Sequence, residues 1–169
     1  MPDFVNVTGP VVAETVYANN KLVAKDVELT LPAVTPTTAD VQAMGTMSIP
    51  IPQLLENMEL SITKIGTDLG LSSMLSFDAF PIEIRWVQSV TDANGKVSHI
   101  GCKAFLRCMS TVLPEVGLTP GEASENELTY TATRYQLMQN GQEAWLIDRL
   151  AGICRVYGKD YMGNISSML

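Results

Sequence analysis

Few side chains in this sequence have both the type and the spacing needed for catalysis. The only histidine, His99, directly follows Ser98, but neighbouring residues on a strand point to opposite faces and cannot act as a pair. Asp148 and Arg149 are adjacent at the end of an alternating run, where a strand-end ion pair or a subunit contact is the simpler interpretation. Gly-x-Ser-x-Gly, His-Glu-x-x-His and phosphate-binding glycine motifs are absent. The sequence therefore predicts a protein that is not an enzyme and uses no cofactor.

The three cysteines offer no metal-binding or redox motif. Cys102, Cys108 and Cys154 are odd in number and form no Cys-x-x-Cys, and His99 has no neighbour at ligand spacing. Cys102 and Cys108 have the same parity on one run, so both are expected on one side of a strand. We expect the cysteines to be small buried apolar residues in a reducing compartment, and we expect no metal site.

The charge of the chain is uneven. The net charge is −7, and the excess of acids lies between Met1 and Glu83, whereas acids and bases balance from Ile84 onward. An acidic surface repels phosphates, so sequence-directed DNA binding is not expected, although solubility alone would also explain the charge. The N-terminus has no basic region followed by an apolar run, and no stretch approaches the ~18 apolar residues of a membrane span. We therefore expect neither a signal peptide nor a membrane span.

Alternation of apolar and polar residues predicts a chain that is mostly β-strand. The clearest strands are Phe80–Val90, Met58–Thr63 and Val27–Leu31. The turn Asp92–Gly95 joins the first of these to a long run, Lys96–Leu113, and so predicts a hairpin.

A second hairpin is predicted near the C-terminus. Leu128–Thr133 alternates, and a further run, Glu143–Leu150, follows the pair Asn140 and Gly141. Asn-Gly between two such runs is typical of a type I′ turn, which requires positive φ at both central residues.

One segment is predicted to be helical and two are predicted to be loops. Gly66–Ser76 has apolar residues at helical spacing, with Thr67 or Asp68 as the N-cap. Ala33–Met47 and Pro114–Glu127 are rich in turn-forming residues and are predicted loops. The sequence thus predicts one domain, residues 1–169, that is mainly β: an antiparallel β-sandwich or open barrel with one short helix.

The order of these elements resembles that of the major tail tube proteins of contractile-tailed phages. The likeness is clearest at the C-terminus, where a W-x-I-D strand, Trp145–Asp148, precedes an R-V-x-G-x-D strand, Arg155–Asp160, and a short tail. It continues collinearly through Val16–Val34, Ser48–Pro52 and Met58–Thr63. The start of the chain departs from the family pattern.

The resemblance implies rings of six subunits that stack into a tube, with each subunit contributing strands to a ring-wide inner β-barrel. R-type bacteriocin tubes and the Hcp-type tubes of type VI secretion share this fold. The implied partners are the protein itself, a tail sheath protein, baseplate or tube-initiator and tail terminator proteins, and DNA that passes through the lumen without specific binding. The implied location is the virion tail, assembled in the host cytoplasm. A bacteriocin or injection-system tube remains an alternative.

The resemblance also suggests which residues contact the channel and the next ring. Two strands have a polar side that suits a channel lining, although an ordinary solvent face would look the same. The candidate lumen-facing residues are Glu59, Ser61, Thr63, Thr129, Thr131 and Thr133. We expect the 33–47 loop and an N-terminal arm, residues 1–14, to contact the adjacent ring. The candidate inter-ring residues are Pro36, Thr37, Asp40, Met44, Gly45 and Met47.

A different class of function is a small-molecule-binding β-barrel. Its pocket would be lined by Trp86, Trp145, Tyr130 and Tyr135, although these aromatic residues are more simply explained as core. Size in solution distinguishes the two classes, because a tube protein forms rings or polymers and a ligand-binding domain remains a monomer.

Overall fold

Alternating apolar and polar residues produce long antiparallel strands, as the sequence predicts. The computed structural model describes residues 6–169, so part of the predicted N-terminal arm, residues 1–14, lies outside the described residues. The described part of that arm enters the first strand at Val7. The elements are β1 (Val7–Ala18), β2 (Lys21–Lys25), β3 (Glu28–Thr30), β4 (Pro36–Gln42), β5 (Thr46–Leu55), β6 (Glu59–Ile65), α1 (Leu69–Ser73), β7 (Phe80–Thr91), β8 (Val97–Ser110), β9 (Glu125–Gln139), β10 (Gln142–Asp148), β11 (Ile153–Val156) and β12 (Lys159–Asp160).

The main sheet is antiparallel and branches at β9. Its order is β12-β11-β10-β9-β8-β7-β1-β2, and β6 also pairs with β9 and carries β3 on its far side. One edge of β9 binds β6 along its first half and β10 along its second half, while the other edge binds β8. The Lys64 ammonium on β6 donates to the carbonyl of Val23 on β2 at 3.2 Å, so the sheet curves enough to bring two unpaired strands into contact. The result is the predicted antiparallel open barrel.

The barrel encloses the apolar sides of the strands. Tyr130 is fully buried, packs edge-on against Phe80 at 5.9 Å between ring centroids, and donates its hydroxyl hydrogen to the carbonyl of Met74 at 2.7 Å. Burial raises the pKa of Tyr130, and it raises the pKa of the Cys108 thiol to about 12. All three cysteines are buried free thiols, which confirms their predicted role as core residues.

The short helix lies where it is predicted but is shorter. Asp68 is the N-cap, and its carboxylate accepts the Leu71 N–H at 3.0 Å. The Lys64 ammonium lies 3.4 Å from the same carboxylate. A side chain at Gly70 would come within 3.0 Å of the Val23 carbonyl, so the glycine permits close packing of α1 on the barrel. Among the described residues, no helix has the length and apolar character to cross a membrane.

The β9–β10 turn has the predicted type I′ conformation. Asn140 and Gly141 have φ values of 47° and 81°. Two further pairs have positive φ at both positions, namely Asn19-Asn20 between β1 and β2 and Tyr157-Gly158 between β11 and β12. Three tight turns therefore fix the register of neighbouring strands.

The prediction that residues 33–47 form a loop is wrong. The segment belongs to a separate two-stranded sheet in which β4 and β5 form a hairpin, with its turn at Met44 and Gly45. Its content of Thr, Pro and Gly after Pro32 suggested a loop, and proline cannot donate a hydrogen bond within a sheet. In a two-stranded sheet, however, each strand has a free edge, and Pro50 is tolerated there.

Other predicted boundaries shift by a few residues. The predicted strand Val27–Leu31 is shorter in the structure, where it is β3. The predicted run Lys96–Leu113 is a strand only as far as Ser110. The Pro114–Glu127 loop ends earlier than predicted, because β9 begins at Glu125.

The β9–β10 turn provides a test of the fold. Gly141→Val should lower the free energy of unfolding by about 1–3 kcal/mol, because a β-branched residue is strained at positive φ. Gly101→Val is the matched control, since Gly101 lies in a strand and a side chain there would meet nothing within 4 Å. The control should change stability by about 0.5 kcal/mol or less. Equal denaturation midpoints for the two variants would contradict the turn assignment.

Candidate assembly surfaces

The sequence-predicted channel residues lie together on one face of the sheet. On β6 and β9, Glu59 pairs with Thr131 and Ser61 pairs with Thr129, while Thr63 pairs with Glu127. Directly paired residues on antiparallel strands share a face. The residues between them, such as Ile62 and Tyr130, are fully buried. We call this exposed side of β6 and β9 the polar face: Glu59, Ser61, Thr63, Glu127, Thr129 and Thr131.

Thr133 lies at an irregularity where β9 passes β8. The pairing shifts between Arg107 and Cys108, so one extra residue of β9 is accommodated there. The Thr133 hydroxyl donates to the Arg107 carbonyl at 3.2 Å. Thr133 therefore lies next to the polar face, and its side chain hydrogen-bonds across the bulge to β8.

The bulge brings two arginines together that sequence analysis did not single out. Arg107 on β8 is directly opposite Arg134 on β9, and both lie on the side of the sheet that carries the polar face. Arg134 also faces Asp148 on β10, with 3.9 Å between guanidinium Nε and carboxylate Oδ2. A groove of about 250 Å³ opens beside the two arginines. The alternation of β9 alone could not reveal this pair, because the bulge shifts its phase.

Other charged groups near the arginines already have partners. The Arg155 guanidinium makes two hydrogen bonds to the Glu143 carboxylate, at 2.7 and 3.2 Å, and holds the pKa of that carboxyl below its usual range. Arg85 pairs with Glu83 at 2.5 Å and stacks on the Tyr17 ring. These side chains contribute little net charge to the surface.

The opposite end of the polar face is acidic. A long exposed connection between β8 and β9 runs beside it, and a groove of about 570 Å³ separates that connection from the sheet. The acids there are Glu115, Glu122, Glu125 and Glu127. Within residues 6–169, none of them forms an ion pair.

The β4–β5 hairpin has two chemically different faces. Asp40 accepts the Ser48 hydroxyl, and the Gln42 amide donates to the Thr46 hydroxyl at 3.2 Å, on one face. The other face is apolar and exposed. By register, that apolar face consists of Ala39, Val41, Met47, Ile49 and Ile51.

The predicted inter-ring residues are distributed along this hairpin. Pro36 and Thr37 lie at its base, Asp40 lies on the polar face, and Met44 and Gly45 form the tip. Met47 belongs to the apolar face. The Met44 side chain is fully exposed, so the structure brings these residues onto one projecting element without burying their apolar groups.

Among residues 6–169, the hydrogen bonds between the hairpin and the body lie at its base. The Gln53 amide donates to the Tyr161 carbonyl at 3.1 Å, and the Arg149 guanidinium donates to the Leu55 carbonyl at 3.1 Å. An apolar cleft of about 360 Å³ lies beside the base, with Trp145 and Ile147 in its wall.

The residues considered for catalysis are dispersed or have structural roles. Ser98 and His99 are exposed neighbours on β8. Asp148 does not pair with Arg149; its carboxylate accepts the N–H groups of Leu150 and Ala151 and lies near a different arginine. No group of three potential metal ligands comes together among residues 6–169.

The aromatic residues considered for a ligand pocket pack mainly as core. Tyr130 and Tyr135 are fully buried, and Trp86 and Trp145 pack against the same cluster. Tyr135 contacts Trp145 edge-on at 5.8 Å between centroids, and burial raises the pKa of Tyr135 to about 12.

Comparison with known proteins identifies the sequence family and the fold. The family model described as phage tail tube protein FII matches residues 11–169. No curated protein matches the sequence.

Two solved structures share the fold, and both are from an extracellular contractile injection system in its extended state. One is the PVC sheath/tube terminator, with a TM-score of 0.53, 14% identity, and coverage of 76% of this chain and 95% of that one. The other is the PVC sheath–tube complex, with a TM-score of 0.52, 14% identity, and coverage of 77% and 90%.

The polar face can be tested by introducing lysines. Ser61→Lys and Thr63→Lys should each fold and lose about 1 kcal/mol or less, because both side chains are partly exposed. Ile62→Lys, between them, should lose on the order of 4 kcal/mol, because it buries an unpaired charge. Chemical denaturation of the three variants makes the comparison. Similar losses at all three positions would show that the polar face is buried.

Proposed function

The chain belongs to the phage tail tube protein FII family and therefore has the structural role of a contractile-tail tube protein; on that premise we propose that six copies form a ring and that rings stack into the inner tube. The single observation that carries this proposal is the combination of a closed core with uncovered surfaces that suit self-association. The apolar face of the hairpin is one of these surfaces.

Open sheet edges support ring formation. Val7–Ala13 of β1 pairs with β7 on one side, but β2 begins to pair only at Thr15. The neighbouring strands β1, β7 and β8 have a second open edge on β8. Val97–Gly101 of β8 pairs with β7, but the pairing of β8 with β9 begins only at Cys102. Exposed edges promote association, and closing them between copies into a shared barrel removes them. We propose that such closure produces the ring-wide inner barrel.

The polar face is the proposed channel lining. Its threonines and Ser61 are small and uncharged, so they attract phosphate weakly. A basic lining would retain DNA, because each neutralised phosphate adds affinity independent of sequence. The proposed channel therefore conducts DNA toward the host without binding it specifically.

The β4–β5 hairpin is the proposed contact between rings. Its apolar face would be buried against the adjacent ring, and its polar face would remain in water. A strand of this length spans about 30 Å, enough to reach well beyond the body of its own subunit. The N-terminal arm, residues 1–14, is proposed to take part in the same contact.

The proposed partners follow from this role. A sheath protein would surround the tube, baseplate or tube-initiator proteins would start it, and a terminator would end it. The proposed location is the virion tail, after assembly in the host cytoplasm, and no catalysis is part of the role. The second candidate is a tube of a bacteriocin or injection system, which the injection-system structures of similar fold favour. DNA in native particles distinguishes the first role from the second.

Self-assembly of the purified protein tests the proposal. Wild-type protein should form sixfold rings and, at high concentration, hollow filaments, as seen by light scattering and electron microscopy. A variant in which a short turn replaces residues 39–49 should form rings but no filaments, because its body retains the core. Asp78→Arg, a change on an exposed loop, is the control and should assemble normally.

Two outcomes would count against the proposal. A wild-type protein that stays monomeric at every concentration would overturn the tube assembly. A hairpin-shortened protein that forms filaments as readily as wild type would remove the hairpin from the ring–ring contact.

A further inference from the structure

The sheet side that carries the polar face has opposite charges at its two ends. The acidic end comprises Glu115, Glu122, Glu125 and Glu127. The basic end comprises Lys103, Arg107 and Arg134. Between the ends, β9 contributes only uncharged threonines, from Thr129 to Thr133.

The two ends cannot neutralise each other within one subunit. Glu127 and Arg134 are seven residues apart on the same extended strand, a separation of roughly 23 Å. Fully extended side chains cannot close such a distance. Opposite charges on these ends can therefore meet only between different copies of the chain.

The basic end has an unmet requirement for negative charge. Arg107 and Arg134 are directly opposed across two strands, a position where like charges are destabilising. Asp148 lies near Arg134, but within the described chain neither Arg107 nor Lys103 has an ionic partner. The groove beside the arginines is concave, and the acidic connection is exposed. Shape and charge thus fit a second copy of this chain.

We propose that the acidic end of one subunit docks onto the basic end of a subunit in the next ring. The inference rests on the proposed tube assembly and specifies one of its contacts. The acidic end and the basic end lie at different positions along β9. A contact between them therefore joins two copies that are shifted relative to each other along the strand direction. In a barrel whose strands tilt by about 35–45°, such copies belong to successive rings. The contact is heterologous, with a different surface on each partner, and can continue from ring to ring.

The contact would also determine the charge of the channel. Unpaired arginines beside the polar face would form a ring of phosphate-binding groups. Carboxylates from the adjacent ring neutralise them, so DNA would meet a lining without excess positive charge. Tube stacking and DNA passage would then depend on the same ion pairs.

Reciprocal charge reversal tests the proposal. Arg107→Glu places acid against acid at the contact, and Glu122→Arg places base against base. The double variant restores opposite charges with reversed polarity. Lys25→Glu and Asp78→Arg carry the same changes in charge on exposed residues outside both ends and serve as controls. The measurement is the lowest protein concentration that yields filaments, determined by sedimentation and electron microscopy, with thermal melting to confirm folding.

Each single reversal should raise that concentration by about tenfold or more while leaving rings intact, and the double variant should return to within about threefold of wild type. Raising the salt concentration from about 0.05 to 0.5 M should weaken wild-type stacking, because screening shortens the range of the attraction. Arg107→Gln and Glu122→Gln, which add no repulsion, should stack with a smaller dependence on salt. If a charge-reversed variant fails to fold, the neutral variants still test the proposed contact.

Three different results would contradict the proposal, and each contradicts a different part of it. Single reversals that stack like their controls, or a double variant as impaired as the singles, would overturn the proposed contact while tubes still form. Loss of rings in folded single variants would show that the charges meet within a ring and would contradict the assignment to successive rings. Wild-type protein that forms neither rings nor filaments would overturn the tube assembly and this contact together.

Discussion

The pairing of β9 with three other strands is the interaction on which the rest of the structure depends. One edge of β9 binds β8, and the other binds β6 and then β10. Because side chains alternate across a strand, one set of β9 residues, including Leu128, Tyr130 and Ala132, is buried in the barrel. The alternate set, Thr129 and Thr131, must then lie on the opposite side. The core and the polar face are thus fixed by the same register, and a shift of one residue would exchange them.

This arrangement explains why a small barrel also presents surfaces for assembly. The barrel satisfies the backbone of its central strands but leaves strand edges open at β1 and β8, and it leaves an apolar hairpin uncovered. A monomer that exposed such features alone would tend to aggregate. In the proposed tube, the same edges and apolar side chains would be covered by identical neighbours. The proposed ion pairs between ring ends would direct that association toward ordered stacking.

Local sequence signals predicted much of the fold. The alternation of Phe80–Val90 identified β7, and Asn140-Gly141 identified the closing hairpin. Of the two predicted N-caps, Thr67 and Asp68, the structure uses Asp68. Each of these depends on residues that are neighbours in the chain. The resemblance at the C-terminal strands predicted the family that the family model identifies.

Features that depend on distant residues were not predictable. The segment Ala33–Met47 appeared to be a loop, because a proline is permitted in a strand only at its first residue or where an edge is free, and sequence does not reveal edges. The opposition of Arg107 and Arg134 depends on a bulge between two long strands. Of the six candidate channel residues, five share one face and Thr133 lies beside them at the bulge. Their position relative to a channel remains a prediction.

The central claim is that the polar face lines the channel of a tube built from this chain. A cryo-electron microscopy reconstruction of filaments assembled from wild-type protein tests it most directly, because it locates β6 and β9 relative to the filament axis. The account predicts that Ser61, Thr129 and Thr131 point into a central channel, with the β4–β5 hairpin between rings. A reconstruction in which these three side chains lie on the outer surface of the filament, or between subunits away from any channel, would contradict the account.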